Sequence, residues 1–344
     1  MTAQEAAAAL SKKDVASGQD VRWCPGCGDY SILSNVQKVM PELGVAREKV
    51  VFVSGIGCSS RFPYYMNTYG FHTIHGRAPS FATGIKISRP DLSVWVVTGD
   101  GDGLSIGGNH LLHTIRRNLD VQILLFNNRV YGLTKGQYSP TSRLGMKSKS
   151  SPQGTIDHPV DPIRFALGAG ATFVARTVDV DAKHMQETLH RAHAHKGTAF
   201  VEILQNCPVF NDGEWAEVED KKTRDAATLV LEQGKPLVFG DGENRQGIRS
   251  EHGRPRLIAL PPGVDPVEAG VTVHDERSDS VAYSYVLAAL ARPKFPMPIG
   301  VFRAVGRPTY EDLLQDQIDE ALQQRGRGDL QALLHSGDTW TVGG

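Results

Sequence analysis

The sequence predicts an α/β protein built on a doubly wound, mostly parallel sheet. Four short apolar runs carry most of that expectation: "VVFVSGIGC" (50–58), "SVWVVTGDGDG" (93–103), "VQILLFNN" (121–128) and "FVEILQNC" (200–207). They are continuous rather than alternating, as strands covered on both faces must be. Each ends in glycine or polar punctuation, and helical patterns lie between them, so strands and helices alternate along the chain.

In chain order, the first stretch, "MTAQEAAAALSKKD", has no basic n-region, and lysines break its apolar run. It reads as an N-terminal arm (1–21), not a signal peptide. "WCPGCGDY" (23–30) follows, then a helical pattern over 29–40, the strand at 50–58, the strand at 93–103 and a helix over 105–118. The strand at 121–128 comes next. "ATFVARTV" (171–178) is a fifth strand candidate, followed by a helix over 181–195 and the strand at 200–207. From residue 208 onward the texture changes, with ten of the 19 prolines and poor periodicity outside short helical patterns near 276–291 and 309–325. The expected division is an arm, a main domain over 22–225, and a Pro-rich extension over 226–344 that wraps the domain or a partner.

Composition narrows the function. The 344 residues are 40% hydrophobic and 22% charged with a net charge of −1. That is ordinary for a soluble domain, and no global field selects nucleic acid or an anionic membrane. No apolar run approaches the ~20 residues of a membrane helix. A cytoplasmic protein is expected, and there thiols stay reduced, so clustered cysteines point to metal binding or catalysis rather than disulfides.

The stretch "TGDGDGLSIGGNHLL" sits between a strand and a helix. Glycines allow close backbone approach to a phosphate, and the helix that follows offers its N-terminal amides. Asn127-Asn128 lies 25 residues beyond Gly99-Asp100-Gly101, at the end of the next strand. That spacing spans one helix and one adjacent parallel strand, so Asp100 and Asn128 emerge side by side at the carboxyl edge, where open α/β sheets bind ligands. A carboxylate and an amide oxygen are hard ligands suited to Mg²⁺, with a bound diphosphate completing the octahedron.

The four cysteines are Cys24 and Cys27, in a C-x₂-C pair, and Cys58 and Cys207, each ending a strand. In a parallel sheet the two strand-end thiols share the edge just assigned to the diphosphate. Four thiolates could hold Zn²⁺ or a 4Fe–4S cluster. Zinc sites usually draw on two local pairs and only one pair is local here, which favours the cluster. Buried, unliganded cysteines are the structural alternative. The pairs His110/His113 and His190/His193 each share a helix face, and a core or solvated face suits them better than a metal.

The G-D-G followed one helix later by N-N resembles the fingerprint of the thiamine-diphosphate enzymes. With the cysteines, and with "GIGCSSRFPYY", "FHTIHGRAPSFATGIK", "NNRVYGLTKGQYSPTS" and "EILQNCP", the chain resembles the β subunit of the 2-oxoacid:ferredoxin oxidoreductases. The tail phrases "GVFRAVGRPTYE" and "HDE" resemble the longer β subunits that act on 2-oxoglutarate. The resemblance implies a sheet of the thiamine-diphosphate-binding type. It implies that Asp100, Asn128 and the Val130 carbonyl bind Mg²⁺, and that Cys24, Cys27, Cys58 and Cys207 ligate one 4Fe–4S cluster. It further implies coenzyme contacts from Ile56, Gly57, Cys58, Ser59, His75, Gly76, Gly99, Gly101, Asp102, Gly132 and Leu133. The implied reaction is oxidative decarboxylation of a 2-oxoacid, electrons leaving one at a time through the cluster to ferredoxin and the acyl group passing to coenzyme A. The reverse carboxylation is equally open.

Thiamine activation needs a glutamate on the pyrimidine ring. Before Cys207 the only glutamates are Glu5, Glu42, Glu48, Glu187 and Glu202, and none is placed at a strand end beside a pocket. The resemblance supplies it from an α subunit, in an αβ or (αβ)₂ assembly. Pyruvate-acting relatives carry S-N-T-G-G-Q where this chain has Gly132-Leu133-Thr134-Lys135-Gly136-Gln137. Lys135 is therefore expected to meet the distal carboxylate of 2-oxoglutarate in a charge-assisted bond of roughly 1.5–3 kcal/mol, with Arg77 a second candidate. A pyruvate or broad-range 2-oxoacid enzyme, or a non-redox thiamine lyase subunit with a Zn–Cys₄ site, are the alternatives.

Overall fold

The computed structural model describes residues 10–343. The start of the arm, with Glu5, lies outside them. Eight strands form one sheet in the order β2-β1-β3-β4-β8-β7-β13-β9. They are β1 (Val50–Ser54), β2 (Tyr69–His72), β3 (Ser93–Gly99), β4 (Val121–Asn127), β7 (Phe173–Val178), β8 (Ala199–Leu204), β9 (Thr228–Leu231) and β13 (Met297–Ala304). The first six in sheet order pair parallel, β13 runs antiparallel to β7, and β9 lies parallel to β13. A two-stranded hairpin, β5 (Val130–Tyr131) with β6 (Gln137–Tyr138), sits beyond the end of β4. An antiparallel trio, β10 (Val238–Phe239), β11 (Gln246–Glu251) and β12 (Arg254–Ala259), is a separate small sheet.

The continuous apolar runs make sense because both faces are covered. Val51, Val53, Val96, Ile123, Leu125 and Phe200 enter one core, with Ala82 of the helix Ala78–Ser88 and Ile115 of the helix Gly108–Arg117. Their strand neighbours Phe52, Trp95, Val97, Leu124, Phe126 and Val201 enter the other, against Ile32 and Val36 of the helix Asp29–Glu42 and Met185 and Leu189 of the helix Ala182–Ala194. A one-residue slip would exchange the two sets, so both cores fix the register. Asp181 caps the helix Ala182–Ala194 by accepting from the His184 amide (3.1 Å), which sets where that helix begins.

The main strands and helices of the first 207 residues fall where the sequence places them. Several elements there were not foreseen, among them β2, the helix Ala78–Ser88, the β5–β6 hairpin and the helix Pro162–Gly168. β2 is an edge strand with exposed side chains, so no burial pattern marks it. The helix Ala78–Ser88 reads poorly because "APSFATGIKIS" carries Pro79 and Gly84. Pro79 is tolerated because it sits in the first turn, where its missing N–H has no partner to lose. In the segment beyond 225, β9 and β13 join the main sheet, and the helices Val281–Ala288 and Tyr310–Arg325 follow the short patterns. Among the described residues no helix is long and apolar enough to cross a membrane.

One buried ion pair ties β7 to β8. Arg176 and Glu202 are register partners. Arg176 Nε donates to Glu202 Oε2 and Asn127 Nδ2 donates to Glu202 Oε1, both at 2.6 Å. Arg176→Met should lower stability by about 3–5 kcal/mol in urea unfolding, because it strands a buried carboxylate. Adding Glu202→Leu should recover most of the loss. Equal destabilisation by the single and double variants would show that the pair itself, not the orphaned charge, matters.

Candidate functional site

The loops after β1, β3 and β4 and the start of the segment after β8 meet at the carboxyl edge around a cavity of about 510 Å³. β3 delivers Gly99, and the chain turns at once into the short helix Asp100–Leu104. Asp100 is buried, and its Oδ2 accepts from Ser139 Oγ and Thr141 Oγ1, both at 2.5 Å. Burial pushes this carboxyl up to about 6 despite those bonds. Gly101 is needed for space: a Cβ there would stand 2.4 Å from the Tyr131 ring, whose hydroxyl donates to the Gly101 carbonyl at 2.9 Å.

β4 ends at Asn127, and Asn128 and Val130 both line the cavity. Between them Arg129 has φ +57°, a left-handed conformation costly for a residue with a side chain. It is held from several sides. Its amide donates to Asn127 Oδ1 (3.2 Å), and its carbonyl accepts from Ser142 Oγ (2.6 Å). Its guanidinium pairs with Glu214 (2.6 Å) and lies 4.2 Å over the Trp215 ring.

Asp102, buried in the same loop, is spent on architecture. Its Oδ1 accepts from the amides of Ile56 (3.0 Å) and Gly76 (2.7 Å) and faces His75 Nδ1 (2.6 Å), while Oδ2 accepts from Thr98 Oγ1 (2.7 Å). One carboxylate thus ties the loop after β1 to the loop carrying His75. Gly55 permits this, since its Cβ would fall 2.1 Å from Asp102 Oδ2. Ile56, Gly57, Cys58, Ser59 and His75 line the cavity, whereas Gly76 stands behind it.

A second cavity, of about 270 Å³, is lined by Cys24, Cys27, Cys58 and Cys207 together with Trp23, Lys135 and Phe210. Cys24-Pro25-Gly26-Cys27 is a tight turn closed by the Cys27 amide on the Cys24 carbonyl (3.1 Å), with Gly26 at φ +80°. Proline then glycine at its centre is what a type II turn demands. Burial pushes the Cys58 thiol up to about 12 and the Cys27 thiol higher still, so a neutral thiol is favoured until a cation replaces the proton. Among the described residues no three His, Cys, Asp or Glu side chains stand close enough to share one metal ion. Thiolates on a single Zn²⁺, at Zn–S of ~2.3 Å, must crowd together; a cuboidal cluster takes its ligands at wider spacing. Four thiols on one cavity are a donor set that a zinc ion or a 4Fe–4S cluster can take. Cys58, Asn128, Gly132 and Leu133 line both cavities. Gly132 keeps the wall thin: its Cβ would sit 3.4 Å from Cys58 Sγ and 3.7 Å from Cys207 Sγ.

Lys135, at φ +77° in the β5–β6 turn, lines the cysteine cavity and not the larger one. Arg77 lines neither, and its Nη1 donates to the carbonyls of His75 (3.2 Å) and Ile106 (3.4 Å). No described glutamate lines the larger cavity. Glu202 is bound to Arg176 and Glu42 to His190. Of the histidine pairs, His110 meets Ser80 Oγ (2.9 Å), His190 meets Glu42 Oε2 (2.8 Å), and His193 stacks on Trp95. Sequence reasoning missed Asp29, Ser139, Thr141 and Gln205. Asp29 is buried in the cavity wall with Oδ2 unpaired, and burial pushes it to about 7. Its place in "CPGCGDY" was the available signal.

Residues 55–203 match the family described as thiamine pyrophosphate enzyme, C-terminal TPP binding domain. The 2-oxoglutarate oxidoreductase subunit KorB of Mycobacterium tuberculosis is 51% identical over 96% of this chain and 88% of its own. A 2-oxoacid:ferredoxin oxidoreductase subunit beta of Saccharolobus solfataricus is 49% identical over 58% of this chain and 66% of its own. Among solved structures, a 2-oxoglutarate:ferredoxin oxidoreductase from Magnetococcus marinus, determined with 2-oxoglutarate, coenzyme A and succinyl-CoA bound, superposes with a TM-score of 0.74. It is 33% identical and covers 96% of this chain and 97% of the matched one.

The Gly101–Tyr131 contact gives a direct test. Gly101→Ala must displace the ring, an overpacking cost of about 1–3 kcal/mol. Calorimetric titration with thiamine diphosphate and Mg²⁺ should therefore show affinity lower by roughly tenfold or more. Unchanged affinity would mean that the ring can vacate this position freely.

Proposed function

This chain belongs to the β subunits of the 2-oxoacid:ferredoxin oxidoreductases, and from that premise we propose that, with an α subunit, it converts 2-oxoglutarate and coenzyme A to succinyl-CoA and CO₂. Two electrons pass to two oxidised ferredoxins and one proton is released; the reverse reaction is a reductive carboxylation. The observation that carries this reading is the shared wall. The diphosphate-type cavity and the four-cysteine cavity are separated by little more than Gly132 and Leu133. A thiamine lyase with a remote structural metal has no need of that proximity.

Thiamine diphosphate supplies, when bound, a centre on which a 2-oxoacid can lose CO₂, and a 4Fe–4S cluster supplies a one-electron acceptor. In this reading Asp100, Asn128 and the Val130 carbonyl hold Mg²⁺ against the diphosphate. Ser139 and Thr141 orient the Asp100 carboxylate. Asp102 keeps His75 and the 56–59 loop in place around the coenzyme. Cys24, Cys27, Cys58 and Cys207 hold the cluster, and Trp23 braces the Cys58 carbonyl through its indole N–H at 2.7 Å.

The absence of a glutamate from the cavity wall among the described residues supports a partner that brings the pyrimidine side. So do the exposed Ile56, Ile74, Ile106 and Leu133 near the opening, apolar area suited to another subunit. Residues 22–225 would then be the cofactor-binding domain, and 226–344 an extension reaching toward the partner. Reduced thiols suit a cytoplasmic αβ or (αβ)₂ enzyme. The choice of 2-oxoglutarate rests on the relatives, because Lys135 borders the cysteine cavity.

Two measurements follow. The purified chain with Mg²⁺, thiamine diphosphate, 2-oxoglutarate, coenzyme A and an electron acceptor should not turn over until the α subunit is added. Asp100→Ala in the complex should remain inactive. Robust turnover by the chain alone would refute the division of labour. Separately, Cys207→Ser should lose or degrade the reduced-cluster electron paramagnetic resonance signal while still binding thiamine diphosphate. A full wild-type signal would remove Cys207 from the ligand set.

A further inference from the structure

Gln205 stands just past the end of β8, two residues before Cys207, between Asn128 and Cys27. It is fully buried and lines the larger cavity. Its backbone amide is fixed on the Asn127 carbonyl at 3.0 Å. Its side-chain amide is committed at both ends. Oε1 accepts from Asn128 Nδ2 at 2.8 Å. Nε2 donates to Cys27 Sγ at 3.3 Å and also to the Asn206 carbonyl. Gly28 makes the approach possible, since a Cβ there would lie 2.9 Å from Gln205 Cγ.

The polarity of this chain of bonds is not arbitrary. The Asn206 carbonyl can only accept, so the neighbouring atom of Gln205 must be its NH₂. The opposite end is then the oxygen, and it must receive an N–H. That requirement turns the Asn128 amide so that its NH₂ faces Gln205 and its Oδ1 faces away. There Oδ1 accepts from the Val130 amide at 3.1 Å and keeps a second lone pair free. The second hydrogen of Gln205 Nε2 meanwhile points at a cysteine sulfur. A hydrogen bond to a ligating sulfur stabilises the more negative, reduced state of a cluster and so raises its potential.

We propose that Gln205 is a positioning residue serving both sites at once, orienting Asn128 so that its oxygen is presented to the diphosphate-bound cation and donating a hydrogen bond to the Cys27 ligand of the cluster. This rests on the reading above that the four cysteines carry a cluster and that Asp100 and Asn128 hold Mg²⁺. Gln205 touches neither substrate nor the reacting atoms. Its effect is on metal affinity and on potential, and the two effects are separable by substitution. Gln205→Met loses both bonds. Gln205→Glu keeps an oxygen for Asn128 Nδ2 and loses the donor to Cys27.

The test uses the anaerobically purified αβ complex, with iron content and circular dichroism recorded for every variant. In Gln205→Met, Mg²⁺ affinity in the presence of thiamine diphosphate should fall about 10- to 100-fold, the usual cost of removing an outer partner of a metal ligand. Its cluster midpoint potential, from a titration followed by electron paramagnetic resonance, should move negative. Gln205→Glu should keep Mg²⁺ affinity within about threefold while its potential also moves negative, the split that Gln205's two bonds demand. One measurement needs no variant. Wild-type complex labelled with ¹⁵N in glutamine side chains should show a weak nitrogen coupling to the reduced cluster in pulsed resonance spectra. Absence of that coupling overturns the bond to Cys27 even where a variant fails to fold. Full iron with unchanged affinity and potential in Gln205→Met overturns the inference and leaves the functional reading standing. A wild-type complex without iron would overturn the functional reading itself.

Discussion

Parallel pairing of β1, β3, β4 and β8 is the constraint on which the site depends. Parallel strands all end at the same edge, so the residues that leave them are brought together without being near in sequence. Cys58 follows β1, Asp100 follows β3, Asn128 follows β4, and Gln205 and Cys207 follow β8. Had any one of these strands run the other way, its chemistry would lie at the opposite end of the molecule. The helices Asp29–Glu42 and Ala182–Ala194 hold the sheet's register from one face, and the first of them begins directly after the Cys24–Cys27 turn. The packing that fixes the fold thereby also delivers the two remaining thiols of the site, Cys24 and Cys27.

Polar groups at that edge are buried, and a buried polar group is costly unless bonded. The structure meets this with linked networks. Asp102 gathers two backbone amides, one hydroxyl and one imidazole. Asn127 joins Glu202 to Thr141, and Thr141 leads on to Asp100. Such networks hold strain as well: the left-handed Arg129 between Asn128 and Val130 persists because an ion pair, an aromatic face and two backbone contacts over-determine it. Asp29 is different. One of its oxygens is buried without a partner, next to Cys27.

Much of this was legible in the sequence because the informative residues have few other uses. G-D-G before a helix and N-N at the end of the next strand placed Asp100 and Asn128 at one sheet edge, and C-x₂-C marked Cys24 and Cys27 as a local pair of thiols. What could not be read lies in tertiary geometry. Ser139, Thr141 and Gln205 carry no signal of their own, and only the fold brings them to Asp100, Asn128 and Cys27. Sequence distance from Val130 suggested the substrate end for Lys135, and the fold sets that residue in the tight β5–β6 turn on the lining of the cysteine cavity. β9 and β13 were missed because their sheet partners are distant in sequence and their own periodicity is short.

Two adjoining cavities carry different donor sets, carboxylate and amide oxygens on one and four thiols on the other. The thin wall at Gly132 keeps them in contact. The most direct test is to quantify iron, acid-labile sulfide, zinc and thiamine in complex purified without oxygen. The account predicts about four irons and four sulfides with one thiamine diphosphate per chain, as one cubane cluster beside one coenzyme requires. Stoichiometric zinc without labile sulfide, or iron without thiamine, would contradict it.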